Sequence, residues 1–309
     1  MKIFIAGATG VLGRGLIRQF RERGHAVIGL ARSAEGEQLI QSLGGESRWA
    51  DLFDADQLAR AADGADVIIH AATSIPVKSR PTPKDFALND RIRREGTRAL
   101  TTCAARVGAS HYLQQSIVWL ARPRDGSAFD ESSQPLPDAL SLSALDAENI
   151  SFEAGAEAGF NVSVLRCGYF YGPEAAHTRY FAEGLKKRRL PIVGTGDAIL
   201  ANLHVEDAAS AFVAATAAGK SGLWHVVDDE PVTVKEFISY FAERLGAPPP
   251  RHVPVWLARL VAGPYAVSFF TQSTRTSNQR FRQDVGWSPR FPSYREGLDQ
   301  VVATWASGS

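Results

Sequence analysis

Apolar residues along this chain switch repeatedly between short unbroken runs and helical spacing. Lys2 to Ala6 is such a run, with Ile3, Phe4 and Ile5 at its centre, the length and composition of a buried strand. Leu12, Leu16, Ile17 and Phe20 then recur at helical spacing until Gly24 stops the helix. The alternation continues. His25 to Leu30 predicts a second strand, Trp49 to Leu52 closes a third, and Asp66 to Ala72 forms a fourth. His111 to Ile117 is the fifth and Asn161 to Arg166 the sixth. Between them, Asp54 and Gln57 match a capping box, and Lys84 to Val107 reads as one long helix with Phe86, Ile92, Leu100, Cys103 and Val107 on its apolar face. Asp138 to Gly159 is helical again. Strands alternating with helices in this way predict an α/β fold, a Rossmann-type doubly wound parallel sheet.

After Gly172-Pro173 the rhythm breaks. Glu174 to Leu190 reads as a basic helix, Pro191 to Gly196 as a turn, and Ala201 to Ala218 as a strand-like piece becoming helix. Leu223 to Val227 looks like one more sheet strand, followed by helix and Pro-rich loops. The expected division is a sheet domain of residues 1–170 plus 201–230. A smaller, discontinuous C-terminal lobe takes 171–200 plus 231–309, with Val253 to Phe270 as its apolar core and a frayed tail at 307–309.

The turn between the first strand and its helix carries Gly7, Gly10 and Gly13. Glycines let backbone turn sharply and approach a pyrophosphate, and the free amides and dipole of a helix N-terminus attract its charge. Gly7, Thr9, Gly10, Val11, Leu12 and Gly13 are therefore the predicted phosphate cradle of a dinucleotide. The second strand ends in Ala31-Arg32-Ser33, with no acid before Glu35. A carboxylate there accepts ribose hydroxyls of NAD, whereas an Arg pairs with the extra phosphate of NADP. Arg32 thus favours NADP(H), with NAD(H) as the alternative. Ala71, Ala72 and Thr73 are small enough for a cofactor to lie close, and His70 reads as a packed strand histidine. Ser116 sits at the carboxyl end of the fifth strand, where open parallel sheets place ligand groups.

Composition narrows the field. The 309 residues are 45% hydrophobic with net charge +1, enough for a sizeable core and no field that recruits nucleic acid or acidic membranes. The basic runs Arg91-Ile92-Arg93-Arg94 and Lys186-Lys187-Arg188-Arg189 read as solvated helix faces. Cys103 and Cys167 lie in apolar contexts, which fits buried thiols and a cytoplasmic setting. No signal segment is expected, and no apolar run reaches membrane-spanning length. There is no GxSxG elbow, and no Cys/His cluster has metal-ligand spacing.

By these motifs the chain resembles the extended short-chain dehydrogenase/reductase family, the NAD-dependent epimerase/dehydratase group. GATGVLG matches that family's GxxGxxG, Asp51-Leu52 its adenine-contacting pair, and His70-Ala71-Ala72 its fourth-strand signature. Arg93 to Thr97 occupies its Asn-x-x-Gly-Thr slot with Arg93 in place of Asn. Leu165 to Pro173 resembles LRxxxxYGP, whose backbone, at Cys167 and Gly168, is implied to meet the nicotinamide end. Leu203 to Asp207 and the terminal QDVGWSPRF match two further elements. The family's YxxxK is another matter. Its Tyr transfers the proton and its Lys lowers that Tyr's pKa. Here the helix reads Leu140-Ser141-Leu142-Ser143-Ala144, with no Tyr between Tyr112 and Tyr169 and no Lys between Lys84 and Lys186.

Atypical members of this kind leave three readings. The first is an NADP(H)-dependent oxidoreductase acting on a small organic carbonyl, alcohol or imine, with a relocated proton donor. Ser116 is the leading catalytic candidate, Tyr169 the second, with His177 as a further donor and Arg93 to polarise an oxygen or clamp an anion. The second is a non-redox isomerase or lyase on the same scaffold, and the third a catalytically inactive NAD(P)-binding sensor. The expected partner is a small-molecule substrate, with a homodimer as the family's common assembly.

Overall fold

A computed structural model describes residues 1–78 and 80–307, apart from the side chains of residues 265 and 266. The tail at 308–309, expected to fray, lies outside the described residues. The first half runs β1 (Lys2–Ala6), α1 (Val11–Glu22), β2 (Ala26–Ala31), α2 (Ala34–Ser42), β3 (Glu46–Trp49), α3 (Ala55–Ala61) and β4 (Val67–His70). It continues through α4 (Ala87–Arg91), α5 (Thr97–Val107), β5 (His111–Ile117), α6 (Leu142–Ala158) and β6 (Asn161–Cys167). Then come β7 (Tyr169–Tyr171), α7 (Ala176–Lys186), β8 (Ile192–Val193), β9 (Ile199–Leu200), β10 (Asn202–His204), α8 (Val205–Ala218) and β11 (Gly222–Val226). The chain closes with β12 (Val232–Thr233), α9 (Val234–Arg244), β13 (His252–Val253), α10 (Val255–Thr271), α11 (Gln279–Val285) and α12 (Tyr294–Ser307).

Seven strands form one sheet in the order β11-β6-β5-β4-β1-β2-β3, and every pairing in it is parallel. Alternating side chains of β1 feed opposite faces. Ile3 and Ile5 pack with Leu12, Leu16 and Phe20 of α1 and with α8, while Phe4 and Ala6 pack with Leu58, Leu100 and Cys103. Helices therefore cover both faces, as continuous apolar strands require. The sheet is doubly wound, with its crossover between β1 and β4.

Two predicted elements differ instructively. The long helix over 84–107 is interrupted: a 3-10 turn at Pro83–Phe86 leads into α4, and Ile92–Gly96 forms a π turn before α5. Its widened turn carries Arg93 inward to 7% exposure, so one member of a run expected to be solvated is buried. The predicted turn at 191–196 contains β8, which pairs in parallel with β13.

The lobe side has its own core, in which Tyr171, Leu185, Ile192, Phe237, Phe241, Tyr294 and Leu298 pack together. The stretch expected to be apolar core, 253–270, divides at Gly263 (φ 81°), where Pro264 follows and the helix breaks. Val267 beyond the break is buried, but Trp256, Leu260 and Val261 before it are 65%, 64% and 70% exposed. Phe281 and Trp287, although late in the chain, pack into the sheet-side core.

Candidate active site

The glycine turn is shaped by close approach. Gly7 has φ 90°, and a Cβ there would lie 2.5 Å from the carbonyl carbon of Ala71, so β4 ends against the turn. A Cβ on Gly13 would lie 2.1 Å from the Gly7 carbonyl oxygen. Gly10 differs: it is exposed, its amide donates to Gly7 O at 3.0 Å, and a Cβ there would approach only that oxygen, at 3.2 Å. Gly10 also caps α1 with no side-chain hydrogen bond and no acid in the first turn. The amides of Val11, Leu12 and Gly13 thus begin the helix unclaimed by any cap, facing the open side of Gly10. Thr9 is half-buried beside them, its carbonyl accepting Arg14 Nη1 at 2.9 Å. Arg14 and Arg18 in turn hold Glu174, at 2.7 and 3.2 Å, which ties the segment after Tyr171-Gly172-Pro173 to the helix that opens the turn.

A cavity of about 420 Å³ lies at the ends of β2 and β3, lined by Ala31, Arg32, Trp49, Asp51, Leu52 and Phe53 among others. Asp51 Oδ1 accepts the Phe53 amide at 3.0 Å, which fixes the loop, and Leu52 is buried. Arg32 is exposed at the rim, and no hydrogen bond or ion pair engages its guanidinium among the described residues. On the other side of the turn, Ala71 is buried, Ala72 half-buried and Thr73 exposed. His70 is packed as expected: Nδ1 accepts the Ala72 amide at 3.3 Å, Nε2 faces Ile92 O at 3.3 Å, and burial lowers its pKa to about 4. A pyrophosphate cradle flanked by an adenosine-sized cavity on one side and small residues on the other fits a nicotinamide dinucleotide.

At the carboxyl ends of β5 and β6 the candidates for chemistry separate. Ser116 is 2% exposed, and its Oγ donates to Glu148 Oε1 at 2.5 Å. The same carboxylate receives Arg166 Nε at 2.9 Å and Nη2 at 2.7 Å, a sealed ion pair. Arg93 reaches from its π turn to the start of α6, where Nη1 donates to Leu140 O and Ser143 Oγ, both at 3.4 Å. Ser143 Oγ itself donates to Asp90 at 2.6 Å. Two long contacts leave most of the guanidinium's donors unclaimed, and burial lowers its pKa to about 10.

Tyr169 is half-buried between His177 and Phe269, at ring separations of 5.0 and 4.9 Å. Its hydroxyl has no partner among the described residues and is not one of the sealed polar atoms. Burial pushes that phenol well above its ordinary pKa, so it stays protonated. His177 is committed differently: its Nε2 donates to Phe170 O, and burial lowers its pKa. Tyr171 is buried and donates to Ser293 O at 3.4 Å. The Cys167 thiol points into the core and bonds Leu165 O, so only backbone at Cys167 and Gly168 borders the sheet edge. A Cβ on Gly168 would meet Ala201 O at 2.5 Å. No group of three or more potential metal ligands occurs, and no helix is long and apolar enough to cross a membrane, among the described residues.

Sequence reasoning did not single out Trp49, Phe53 and Gln57 around the first cavity, or Trp119 and Phe269 beside Tyr169. Trp119 stood within reach of it, three residues beyond Ser116. Phe269 comes from a distant helix and carried no local signal.

A family model described as the NAD dependent epimerase/dehydratase family matches residues 3–226, and the chain belongs to that family. Over 310 aligned positions it is 33% identical to a 3-diazoavenalumate denitrifying reductase of a Streptomyces species, across 96% of this chain and 99% of that protein. It is 26% identical to a Stigmatella aurantiaca ketoreductase named for a farnesylated dihydroquinoline oxide, across 100% and 98% of the two chains. The fold matches a Thermus thermophilus UDP-glucose 4-epimerase solved in complex with NAD, at 21% identity and TM-score 0.81 over 100% of both chains. The coarse activity is that of an NAD(P)-dependent oxidoreductase or epimerase.

Proposed function

We propose that this chain is an NADP(H)-dependent reductase of a small organic carbonyl or imine compound, with Tyr169 as its proton donor. The observation that carries this reading is the contrast between two hydroxyls at one sheet edge. Ser116 is sealed against Glu148, whereas the Tyr169 hydroxyl has no partner among the described residues. When bound, the nicotinamide supplies a hydride to the substrate carbon. Tyr169 Oη gives its proton to the substrate oxygen or nitrogen as negative charge develops there, and regains one from solvent. A phenol held above its ordinary pKa is protonated at neutral pH, so it is present as a donor, weakened as an acid, and not as the phenolate base that an isomerase or lyase would need.

The other residues take binding roles in this reading. Gly7, Thr9, Gly10, Val11, Leu12 and Gly13 hold the pyrophosphate, Asp51 and Leu52 the adenine, and Arg32 the 2′-phosphate. Ala71, Ala72 and Thr73 flank the dinucleotide, and the backbone of Cys167 and Gly168 borders the nicotinamide. Arg93 places positive charge beneath the nicotinamide ribose. Ser116, through Glu148, positions β5 against α6, and His177 orients the ring of Tyr169. The dinucleotide occupies residues 1–170 with 201–230, and the substrate faces 171–200 with 231–309. That the Streptomyces and Stigmatella relatives are named as reductases supports the redox direction.

The test is NADPH oxidation with a panel of ketones, aldehydes and imines. Tyr169→Phe is expected to lose about a hundredfold or more in kcat, the usual weight of a positioned acid. Unchanged turnover in Tyr169→Phe, together with collapse in a folded Ser116→Ala variant, would return the proton to Ser116.

A further inference from the structure

We infer that the space beyond the nicotinamide is an aromatic subsite, built to take a planar, conjugated ring compound rather than a sugar nucleotide. The inference rests on the proposed placement of the dinucleotide's reactive end at the carboxyl ends of β5 and β6. At that edge Trp119 follows β5 and Tyr169 follows β6, and these strands are paired neighbours. Phe269 of α10 joins them, its ring 6.2 Å from Trp119 at 89° and 4.9 Å from Tyr169. His177 and Phe181 of α7 extend the wall, and Phe270 meets Phe181 at 5.7 Å. Six rings from four separate segments therefore form one continuous surface.

Burial separates this surface from the lobe core beside it. The core aromatics Tyr171, Phe237, Phe241 and Tyr294 are 1–3% exposed. All six wall rings are instead half-buried. Large aromatic groups left partly exposed at the end of a cofactor track are the usual lining of a small-molecule pocket. Polar chemistry on the wall is sparse. The His177 Nε2 is occupied by Phe170 O, leaving the Tyr169 hydroxyl, the Trp119 indole N–H and His177 Nδ1 as the wall's unpartnered polar groups among the described residues. No cation lies over any of the six rings, since the described cation–π contacts all fall elsewhere. A diphosphate needs several donors or cations to replace its water, and this wall offers one hydroxyl, one indole N–H and no cation. An aromatic ring needs edge-on and offset faces, and the wall consists of them. The single hydroxyl then registers the substrate's reacting oxygen or nitrogen at the same point that receives the hydride.

The test uses three ligands that undergo no turnover: cinnamamide, its saturated-ring counterpart 3-cyclohexylpropanamide, and UDP-glucose. Each is titrated calorimetrically into protein saturated with NADP⁺, whose own binding is measured first. Cinnamamide is expected to bind about tenfold tighter than the cyclohexyl compound, the scale of one or two aromatic contacts. Phe269→Leu, which nearly conserves volume, should remove that preference while leaving NADP⁺ affinity and Tm near the wild-type values. Trp119→Leu is the second variant should Phe269→Leu not fold. Equal binding of the two amides, preference for UDP-glucose, or no binding of any of the three by NADP⁺-loaded protein would overturn the subsite. Failure of NADP⁺ itself to bind would instead overturn the dinucleotide reading on which it rests.

Discussion

Single side chains decide most of the chemistry in the proposed reading, which gives Arg32 the choice of cofactor. Its guanidinium stands at the rim of the adenosine cavity with no competing partner. An Arg facing a phosphate gains charge-assisted, bidentate contacts that a 2′-hydroxyl does not return. Arg32→Ala is expected to weaken NADPH about tenfold or more, on the scale of a hydrogen bond to a charged group, and NADH by less than twofold. Paired fluorescence titrations read both constants, and equal losses would remove the 2′-phosphate role. Arg32 was legible in the sequence because its position follows from the strand end and the turn before it. Tyr169 was legible only as one of four candidates. What raises it above Ser116 is a hydrogen bond across 32 residues of sequence, from Ser116 to Glu148, which no local pattern announces.

At the scale of elements, the π turn at 92–96 is the least expected feature. A helical pattern over 84–107 assigns each residue a face by its spacing, and an inserted turn shifts every assignment downstream. That is why Arg93 read as a surface residue of a basic run and is instead buried against α6. The turn carries a cation across to the start of α6, where Arg93 donates to Leu140 O and Ser143 Oγ. If Arg93 supports the nicotinamide half of the cofactor, Arg93→Ala should weaken NADPH about tenfold. It should leave adenosine 2′,5′-bisphosphate, which has no nicotinamide ribose, within about twofold of wild type. Equal losses for the two ligands would mean that Arg93 acts by holding α4, α5 and α6 together. The strands were easier to read, because β1 and β4 are apolar on both faces and their ends are marked by glycine or small residues. β1 and β5 have the expected bounds and β4 is shorter by one residue at its start and two at its end, whereas the third strand ends at Trp49 where it was expected to run to Leu52. β8 with β13 was missed because two-residue strands have no period.

At the scale of the whole molecule, burial of uncharged histidines sets the acid limit. His70, His111 and His204 have pKa values lowered to about 4, and His225 to about 3, chiefly by desolvation. Burial keeps each neutral, and specific bonds orient three of the rings: His111 Nε2 to Ser163 at 2.8 Å, His204 Nε2 to Gln300 at 3.1 Å, His225 Nδ1 to Thr276 at 2.6 Å. Unfolded, these rings protonate near pH 6.5. Between that value and about 4 the unfolded chain binds more protons, so their stabilisation is full above about pH 6.5 and is lost as the pH falls. Asp207, raised to about 6 by burial, and Asp228, also raised well above its ordinary value by burial, act in the opposite sense. Four histidines outweigh two acids. The Tm is expected to fall by several degrees between pH 7 and pH 5, and a flat or rising profile in calorimetry would contradict this balance. The sequence placed the histidines in strands and at a helix start, but their neutrality depends on partners that only the assembled fold supplies.

The same assembled fold carries the central claim, that a glycine turn, a free arginine and an unpartnered phenol together bind and use NADP(H). The most direct measurement is a titration of the purified protein, after denaturing an aliquot to identify any nucleotide it already holds, with NADPH and NADH. The account predicts that the protein carries no tightly held nucleotide and binds NADPH reversibly, at least about tenfold tighter than NADH. A nucleotide retained through purification, or binding that prefers NADH or fails for both, would contradict it.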